Sequence, residues 1–137
     1  MANSQRPLPL EDDDTRLYWE AARAGRLELP RCDCCGEFCF PPRPRCPRCL
    51  STALTWTALS GRGSVYSFCV VYQAPVEVTD VPYVVAQIEL AEQAGLRLVA
   101  NVVGCPPGDV IVGMPVEVEF ERIDEDHTLP QFHPATA

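Results

Sequence analysis

The sequence predicts a mainly β protein with an N-terminal helix, in which a zinc ribbon precedes a five-stranded OB-fold barrel. Two C-x2-C pairs, separated by ten residues, predict the ribbon. From residue 64 onward, apolar and polar residues alternate in short runs, which is typical of strands that bury one face. Glycine-rich corners divide this region into four to five strands. So few strands favour a small barrel over a sandwich, which usually needs about seven.

The chain of 137 residues has room for a small metal module and one compact domain. We expect a flexible tail over residues 1–13, the helix and ribbon over residues 14–60, the barrel over residues 61–124 and a polar tail over residues 125–137. The sequence contains no run of 18 apolar residues that would predict a membrane span. It also has no apolar segment after a basic start, as a secretory signal would have. We therefore expect a cytoplasmic protein with reduced thiols.

The N-terminal helix is predicted from the apolar residues that follow an acidic run. An aspartate within residues 12–14 caps the helix, which continues to about residue 24, and Gly25 ends it. At helical spacing, one apolar face carries Tyr18, Ala21 and Ala22. That face packs either on the rest of the chain or on another protein, and the sequence leaves both open.

The cysteines of the ribbon form a predicted four-thiolate metal site. Its ligands are Cys32, Cys35, Cys46 and Cys49. A C-x2-C turn places two thiolates on one side of a tight loop, and two such turns complete a tetrahedral shell around zinc at about 2.3 Å. Gly36 suits the positive φ that folds the first loop back, and Pro47 presets φ in the second. A closed shell has no open position for water, so the predicted site is structural rather than catalytic.

Other uses of the cysteines are weighed against zinc. Four thiolates also hold iron, as in electron-transfer sites of the rubredoxin type. Disulfides belong to secreted proteins, and no secretory signal is evident. Cys34 and Cys39 are left outside the shell, because a C-x-C spacing is one residue too short for the usual turn. Cys69 and Cys105 are predicted to be buried apolar thiols.

The strands are predicted from their alternation, and they cover residues 26–31, 54–59, 64–73, 82–91, 96–105 and 116–123. In the third strand, one face is expected to carry Val65, Ser67, Cys69 and Val71. In the fourth strand, every second residue from Val84 to Leu90 faces inward, and Gly95 turns the chain into the fifth. In the last strand, Val116 and alternate residues after it face the core, while the intervening glutamates face water.

The charge is divided between the two modules. Residues 23–62 carry a net charge of +4, whereas residues 63–137 carry −9, within a total of −8. A basic ribbon on an acidic body favours the ribbon for any phosphate-bearing ligand. The candidate ligand-binding residues are Arg43, Arg45 and Arg48, since guanidinium groups bind phosphate bidentately. Alternatively, these arginines balance the acidic barrel or bind an acidic partner surface.

No catalytic residue is predicted. The only two histidines, His127 and His133, lie in the expected C-terminal tail, and we expect His133, beside Pro134, to be exposed to solvent. Acid/base or nucleophilic catalysis requires positioned groups that this pattern does not supply. An alternative function is nucleic-acid binding, since zinc ribbons and OB-folds both occur in such proteins. The negative charge of the barrel disfavours it, because nucleic acid requires a basic groove.

The motifs together resemble a known family. They are YWEAARAGRLELPRC, CDCCG, FPPRPRCPRC, SGRGSVYSF and VEVEFE, and they extend over roughly residues 14–133. This combination resembles the family called domain of unknown function 35 (DUF35), which has a rubredoxin-like zinc ribbon followed by an OB-fold. Cys34 and Cys39 are not part of the family pattern.

The resemblance implies an accessory subunit rather than an enzyme. Members of the family form complexes with thiolases, thiolase-like aldolases or acyl-CoA hydratases, and catalysis resides in the partner. The resemblance therefore implies one structural zinc ion, a hetero-oligomer with such a partner and a role in binding or positioning acyl-CoA. The apolar pattern and the charge of the chain add the expectation of no membrane and no nucleic acid as partners.

Overall fold

The computed structural model describes residues 7–73 and 80–135. Within them lie one α-helix, seven β-strands and a 3-10 turn over Pro107–Asp109. The elements are α1 (Arg16–Arg23), β1 (Glu28–Cys32), β2 (Leu54–Ala58), β3 (Arg62–Val71), β4 (Tyr83–Leu90), β5 (Arg97–Val102), β6 (Pro115–Arg122) and β7 (Thr128–Pro134). Strands β1 and β2 form an antiparallel two-stranded sheet, and the other five close a barrel in the order β3-β4-β5-β7-β6. The predicted fold class is confirmed.

Helix α1 packs on its own chain. The side chain of Asp12 accepts hydrogen bonds from the backbone N–H groups of Asp14 and Thr15, which shapes the turn before the helix. The predicted apolar face is buried, and it contacts β1 and β7. Tyr18 on this face lies 6.0 Å from Phe40 of the ribbon, measured between ring centroids. The helix is therefore wedged between the ribbon and the barrel. No helix in the described residues is long and apolar enough to span a membrane.

The core of the barrel follows the predicted alternation in β4, β5 and β6. Alternate residues from Val84 to Leu90 are at most 2% exposed. Strand β4 pairs antiparallel with β5 through the turn at Gly95, where φ is +82°. Val116 of β6 is buried, and Val118 packs against the same core. The predicted hairpin and the predicted inward face of β6 are confirmed.

The predicted alternation of β3 is wrong beyond Val65. Val65 pairs with Ile88, but Ser67 pairs with Gln87, so Tyr66 is an extra residue in a β-bulge. After the bulge, the residues that pack on the core are Phe68 and Val70. The outward residues include Cys69, which is exposed, so the prediction of a buried thiol at Cys69 is also wrong. The other predicted thiol, Cys105, is half-buried and packs against the core.

The predicted C-terminal tail is wrong for residues 128–134. These residues form β7, which lies between β5 and β6 and completes the barrel beyond the predicted boundary at residue 124. Phe132 is fully buried, and His133 is half-buried rather than solvent-exposed. The sequence predicts a polar tail here because two prolines and three polar residues surround the two apolar side chains of the segment. Residues 1–6 of the predicted N-terminal tail and residues 136–137 lie outside the described residues.

Two glycines, Gly61 and Gly63, allow the start of β3 to lie close to both of its neighbouring strands, β6 and β4. Gly61 has a φ of +82°, and a Cβ added there would collide with Val118 of β6. A Cβ at Gly63 would lie 2.5 Å from the carbonyl oxygen of Glu89 on β4. Glycine is therefore required at both positions, since any larger residue would push β3 away from β6 or β4.

Candidate metal centre and its surroundings

The four predicted metal-binding cysteines come together in the ribbon. The Sγ atoms of Cys32, Cys35, Cys46 and Cys49 all lie within 4.8 Å of one another. Two of the distances, Cys32 to Cys49 and Cys35 to Cys46, are 3.5 Å. Four sulfurs at about 2.3 Å around one ion lie about 3.8 Å apart in a tetrahedron. The arrangement therefore fits an S4 metal site.

The two cysteine loops share one backbone conformation. In the first, the N–H of Gly36 donates to the carbonyl of Cys32 at 2.9 Å. In the second, the N–H of Leu50 donates to the carbonyl of Cys46, also at 2.9 Å. Both Gly36 and Leu50 have positive φ, at +78° and +66°. The sequence predicts this conformation at Gly36, but not at Leu50, because leucine rarely adopts it.

Backbone N–H groups also point at the sulfurs and favour their thiolate form. The N–H of Cys35 lies 3.5 Å from Cys32 Sγ, and this hydrogen bond is the largest of several contacts that together lower the pKa of Cys32 to about 6. The pKa of Cys46 is lowered too, first by the N–H of Cys49 and also by that of Arg48. For Cys49, the N–H of Ser51 lowers the pKa. The neighbouring Cys32 sulfur and burial outweigh this effect, and the net result is a pKa raised to about 12. The pKa of Cys35 is raised, so each close sulfur pair combines one thiol of lowered pKa with one of raised pKa. A cation at the centre would favour the thiolate form of all four.

The two spare cysteines lie outside this group. Cys34 is exposed, and its Sγ lies 3.4 Å from the hydroxyl oxygen of Ser51. Cys39 is 2% exposed, and burial raises its pKa. Neither belongs to the four-sulfur cluster, which agrees with their predicted exclusion from the shell.

The three candidate arginines do not converge on one point. Arg43 and Arg45 line an open groove of about 530 Å³, together with the apolar Phe40, Pro41 and Leu50. Within this groove, Arg45 donates a hydrogen bond to the carbonyl of Leu50 at 3.1 Å. Arg48 instead pairs with Glu37 at 3.3 Å. Among the described residues, the Arg43 guanidinium has neither a hydrogen bond nor an ion pair, so it is the one of these three candidates most available to a ligand.

Both histidines contact residues of their own segment at the C-terminal end of the described chain. His127 lies in the turn before β7, where its Nδ1 is 2.8 Å from Asp124 Oδ1. This contact holds the pKa of Asp124 below its usual range. His133 lies in β7, with Nδ1 2.9 Å from the carbonyl of Pro134. Both histidines make local structural contacts, and the absence of a catalytic residue stays a prediction.

A contact that sequence reasoning missed joins the ribbon to the barrel. Gln93, in the turn between β4 and β5, accepts a hydrogen bond from the N–H of Phe38 at 2.8 Å. Its Nε2 donates to the carbonyl of Phe38 at 3.2 Å and to Glu37 at 3.3 Å. Glu37 in turn holds Arg48, so one glutamine connects the barrel to both cysteine loops. No local pattern signals this role for a glutamine in a turn.

Family models match both parts of the chain. The model described as "ChsH2, rubredoxin-like zinc ribbon domain" matches residues 19–55. The model described as "ChsH2, C-terminal OB-fold domain" matches residues 56–121. The second ends before β7, whereas the barrel includes it.

Two curated relatives have names that bear on function. A DUF35 domain-containing scaffold protein of Methanocaldococcus jannaschii is 46% identical over 98 residues, covering 70% of this chain and 68% of the relative. A probable enoyl-CoA hydratase alpha subunit of Thermomonospora curvata is 41% identical over 130 residues. That match covers 95% of this chain but 40% of the relative, so the chain spans less than half of the longer protein.

A solved structure shares the fold over almost the full chain. It is described as "Ltp2-ChsH2(DUF35) aldolase", and the matching chain is 40% identical, with a TM-score of 0.86. The match covers 93% of this chain and 99% of that chain. The similarity therefore includes helix, ribbon and barrel together.

Proposed function

Since this chain belongs to the DUF35 family, we propose that it is a non-catalytic accessory subunit that binds a thiolase-like, aldolase-like or hydratase partner and helps to position an acyl-CoA substrate. One observation carries the proposal, namely the similarity to nearly the whole of a chain in the Ltp2-ChsH2(DUF35) aldolase. The scaffold protein and the hydratase alpha subunit point the same way. The partner, rather than this chain, then supplies the catalytic groups.

The metal site has a structural role in this proposal. Cys32, Cys35, Cys46 and Cys49 would hold one zinc ion, and a four-thiolate shell leaves no position for substrate or water. The ion supplies a rigid cross-link between the two cysteine loops. The second loop carries Arg45 at the groove, so the cross-link keeps this wall of the groove in place.

The groove beside the second cysteine loop is the proposed acyl-CoA contact. Its guanidinium groups, from Arg43 and Arg45, suit the phosphates of a nucleotide. Its apolar residues, including Phe40 and Pro41, suit the uncharged part of the same molecule. Arg48 is a weaker candidate, because Glu37 already neutralises it. Nucleic acid remains disfavoured, since residues 63–137 carry a net charge of −9.

Co-expression tests the proposal directly. The chain is co-expressed with candidate thiolase-like, aldolase-like and hydratase proteins of the same organism, and the purified material is analysed by size-exclusion chromatography and metal analysis. We expect co-elution with about one zinc ion per chain. Elution of a zinc-containing chain without any partner would contradict the accessory role.

A further inference from the structure

The outward side chains of β3, β4 and β5 form one continuous surface. Residues that pair across antiparallel strands lie on the same side of the sheet, so each row crosses all three strands. One row is Cys69, Val85 and Asn101, the next is Ser67, Gln87 and Val99, and the pair Val71 and Tyr83 extends the surface. We call these eight residues the β3–β5 outer face.

The β3–β5 outer face contains no ionisable carboxylate or guanidinium, although the surrounding region is acidic. Residues 63–137 contain eleven acidic residues and two arginines. At the margin of the face, Glu89 and Arg97 pair with each other at 3.1 Å. Arg97 also stacks on Tyr66, with its guanidinium carbon 3.5 Å from the ring centroid. A protein that docks on this face therefore desolvates no unpaired charge, and depletion of charge is typical of the centre of an interface.

Strand β6, which pairs with the other edge of β3, differs in this respect. Strand β6 carries three glutamates at alternate positions, namely Glu117, Glu119 and Glu121. Burial of this row against a partner costs the hydration of its water-exposed carboxylate oxygens, above all those of the exposed Glu119, unless the partner supplies matching cations. An uncharged partner surface therefore fits β3, β4 and β5 better than it fits β6.

A groove of about 250 Å³ opens at the edge of the β3–β5 outer face. Val85 and Val99 line it from the face, Trp19 lines it from α1, and Leu129 and Pro130 line it from β7. Val99 is 62% exposed, which leaves aliphatic surface in water beside the groove. Asn101 and Gln131 add polar groups to the lining, so the groove offers an apolar wall rather than a wholly apolar pocket. One apolar side chain of a partner can pack against that wall and anchor an interface.

We propose that the partner enzyme docks on the β3–β5 outer face through an uncharged, mainly apolar surface and inserts an apolar side chain into the groove beside Val99. This inference rests on the proposed function and adds the location of the contact. Nucleic acid does not fit, because phosphates require cations and the arginine at the margin is paired. A second copy of this chain does not fit, because each copy carries a net charge of −8 and the face offers no charge to offset the repulsion.

Matched glutamate substitutions test the location. Val99→Glu places a carboxylate in the centre of the contact, whereas Val112→Glu makes the same change at a valine that is 65% exposed in the loop before β6. Both variants are co-expressed with the partner, and the dissociation constant is measured for each complex. Circular dichroism and metal content check that each variant is folded. We expect Val99→Glu to weaken the complex about 30-fold or more, as for a residue central to binding, and Val112→Glu to leave it unchanged.

Thiol footprinting provides a second readout without disturbing the face. Cys69 is exposed in the isolated chain, so iodoacetamide reacts with it there. In the complex we expect the alkylation rate of Cys69 to fall at least about tenfold, because a covered interface excludes the reagent. A control thiol introduced by Val112→Cys should react equally in both states.

The outcomes separate this inference from the proposed function. A wild-type complex that tolerates Val99→Glu, or that leaves Cys69 as reactive as in the free chain, would overturn the location alone. Failure of the wild-type chain to bind any such partner would overturn the proposed function and this inference with it. A wild-type homodimer that Val99→Glu converts to a monomer would assign the face to a second copy and overturn the enzyme as its occupant.

Discussion

The backbone N–H of Asn101 on β5 donates a hydrogen bond to the side-chain Oε1 of Gln131 on β7, over 2.8 Å. These strands run parallel and share a single backbone pair, Val102 with Phe132. Nε2 of Gln131 also donates to Asn101 Oδ1 at 3.1 Å and to Glu121 Oε1 at 3.3 Å. One buried amide thus closes the barrel where the two backbones separate.

Gln131→Ala should lower the free energy of unfolding by about 1–3 kcal/mol, because it removes three hydrogen bonds from a side chain that is 3% exposed. Guanidinium chloride unfolding measures the change. Gln87→Ala is the control, since Gln87 is exposed and contacts Ser67. Equal stability of the two variants would show that Gln131 does not close the barrel.

Gln93→Ala should loosen the ribbon from the barrel. The substitution removes both side-chain hydrogen bonds to the backbone of Phe38, so the amide hydrogen of Phe38 should exchange about tenfold faster. Hydrogen exchange measured by NMR resolves this one amide. Amides in the centre of β4 serve as the internal reference and should keep their exchange rates. Uniform acceleration across the barrel would indicate global destabilisation instead.

Cys46→Ser should abolish metal binding and unfold the ribbon, because the loss of one thiolate opens the shell and the binding free energy of a structural zinc ion is roughly 10 kcal/mol or more. Metal analysis and thermal unfolding check the result, together with co-purification of the partner. Cys69→Ser is the matched control for metal content and stability, and its exposed position predicts a change in the free energy of unfolding within about 0.5 kcal/mol. Full metal content in the Cys46→Ser protein would refute the assignment of this ligand.

Arg43→Gln should weaken CoA binding by the complex about tenfold, because it removes a charge-assisted contact to phosphate. Isothermal titration of CoA into the purified complex measures the effect. Arg26→Gln is the control, since Arg26 pairs with Glu28 at 3.0 Å outside the groove. If the two variants bind CoA equally well, the groove beside the second cysteine loop is not the phosphate contact.

Local patterns predicted most of the fold. The C-x2-C spacing by itself identified the four cysteines that come together, because each turn brings its own two sulfurs to one side. The alternation in β4 and β6 identified inward residues such as Val84 and Val116, because the period of a strand is visible within a few residues. Failures occurred where a local signal was interrupted. The extra residue at Tyr66 reversed the faces of β3, which exposed Cys69.

The sequence by itself determined that this protein has a helix, a four-cysteine ribbon and a short-stranded barrel, because spacing and alternation are properties of neighbouring residues. Only the tertiary structure decided that residues 128–134 form the closing strand. That strand is stabilised by residues distant in sequence, through the burial of Phe132 and the hydrogen bonds of the Gln131 amide. The pattern of apolar and polar residues within the strand does not predict such contacts. The same holds for Gln93, whose turn meets the backbone of Phe38 because the ribbon and the barrel pack together.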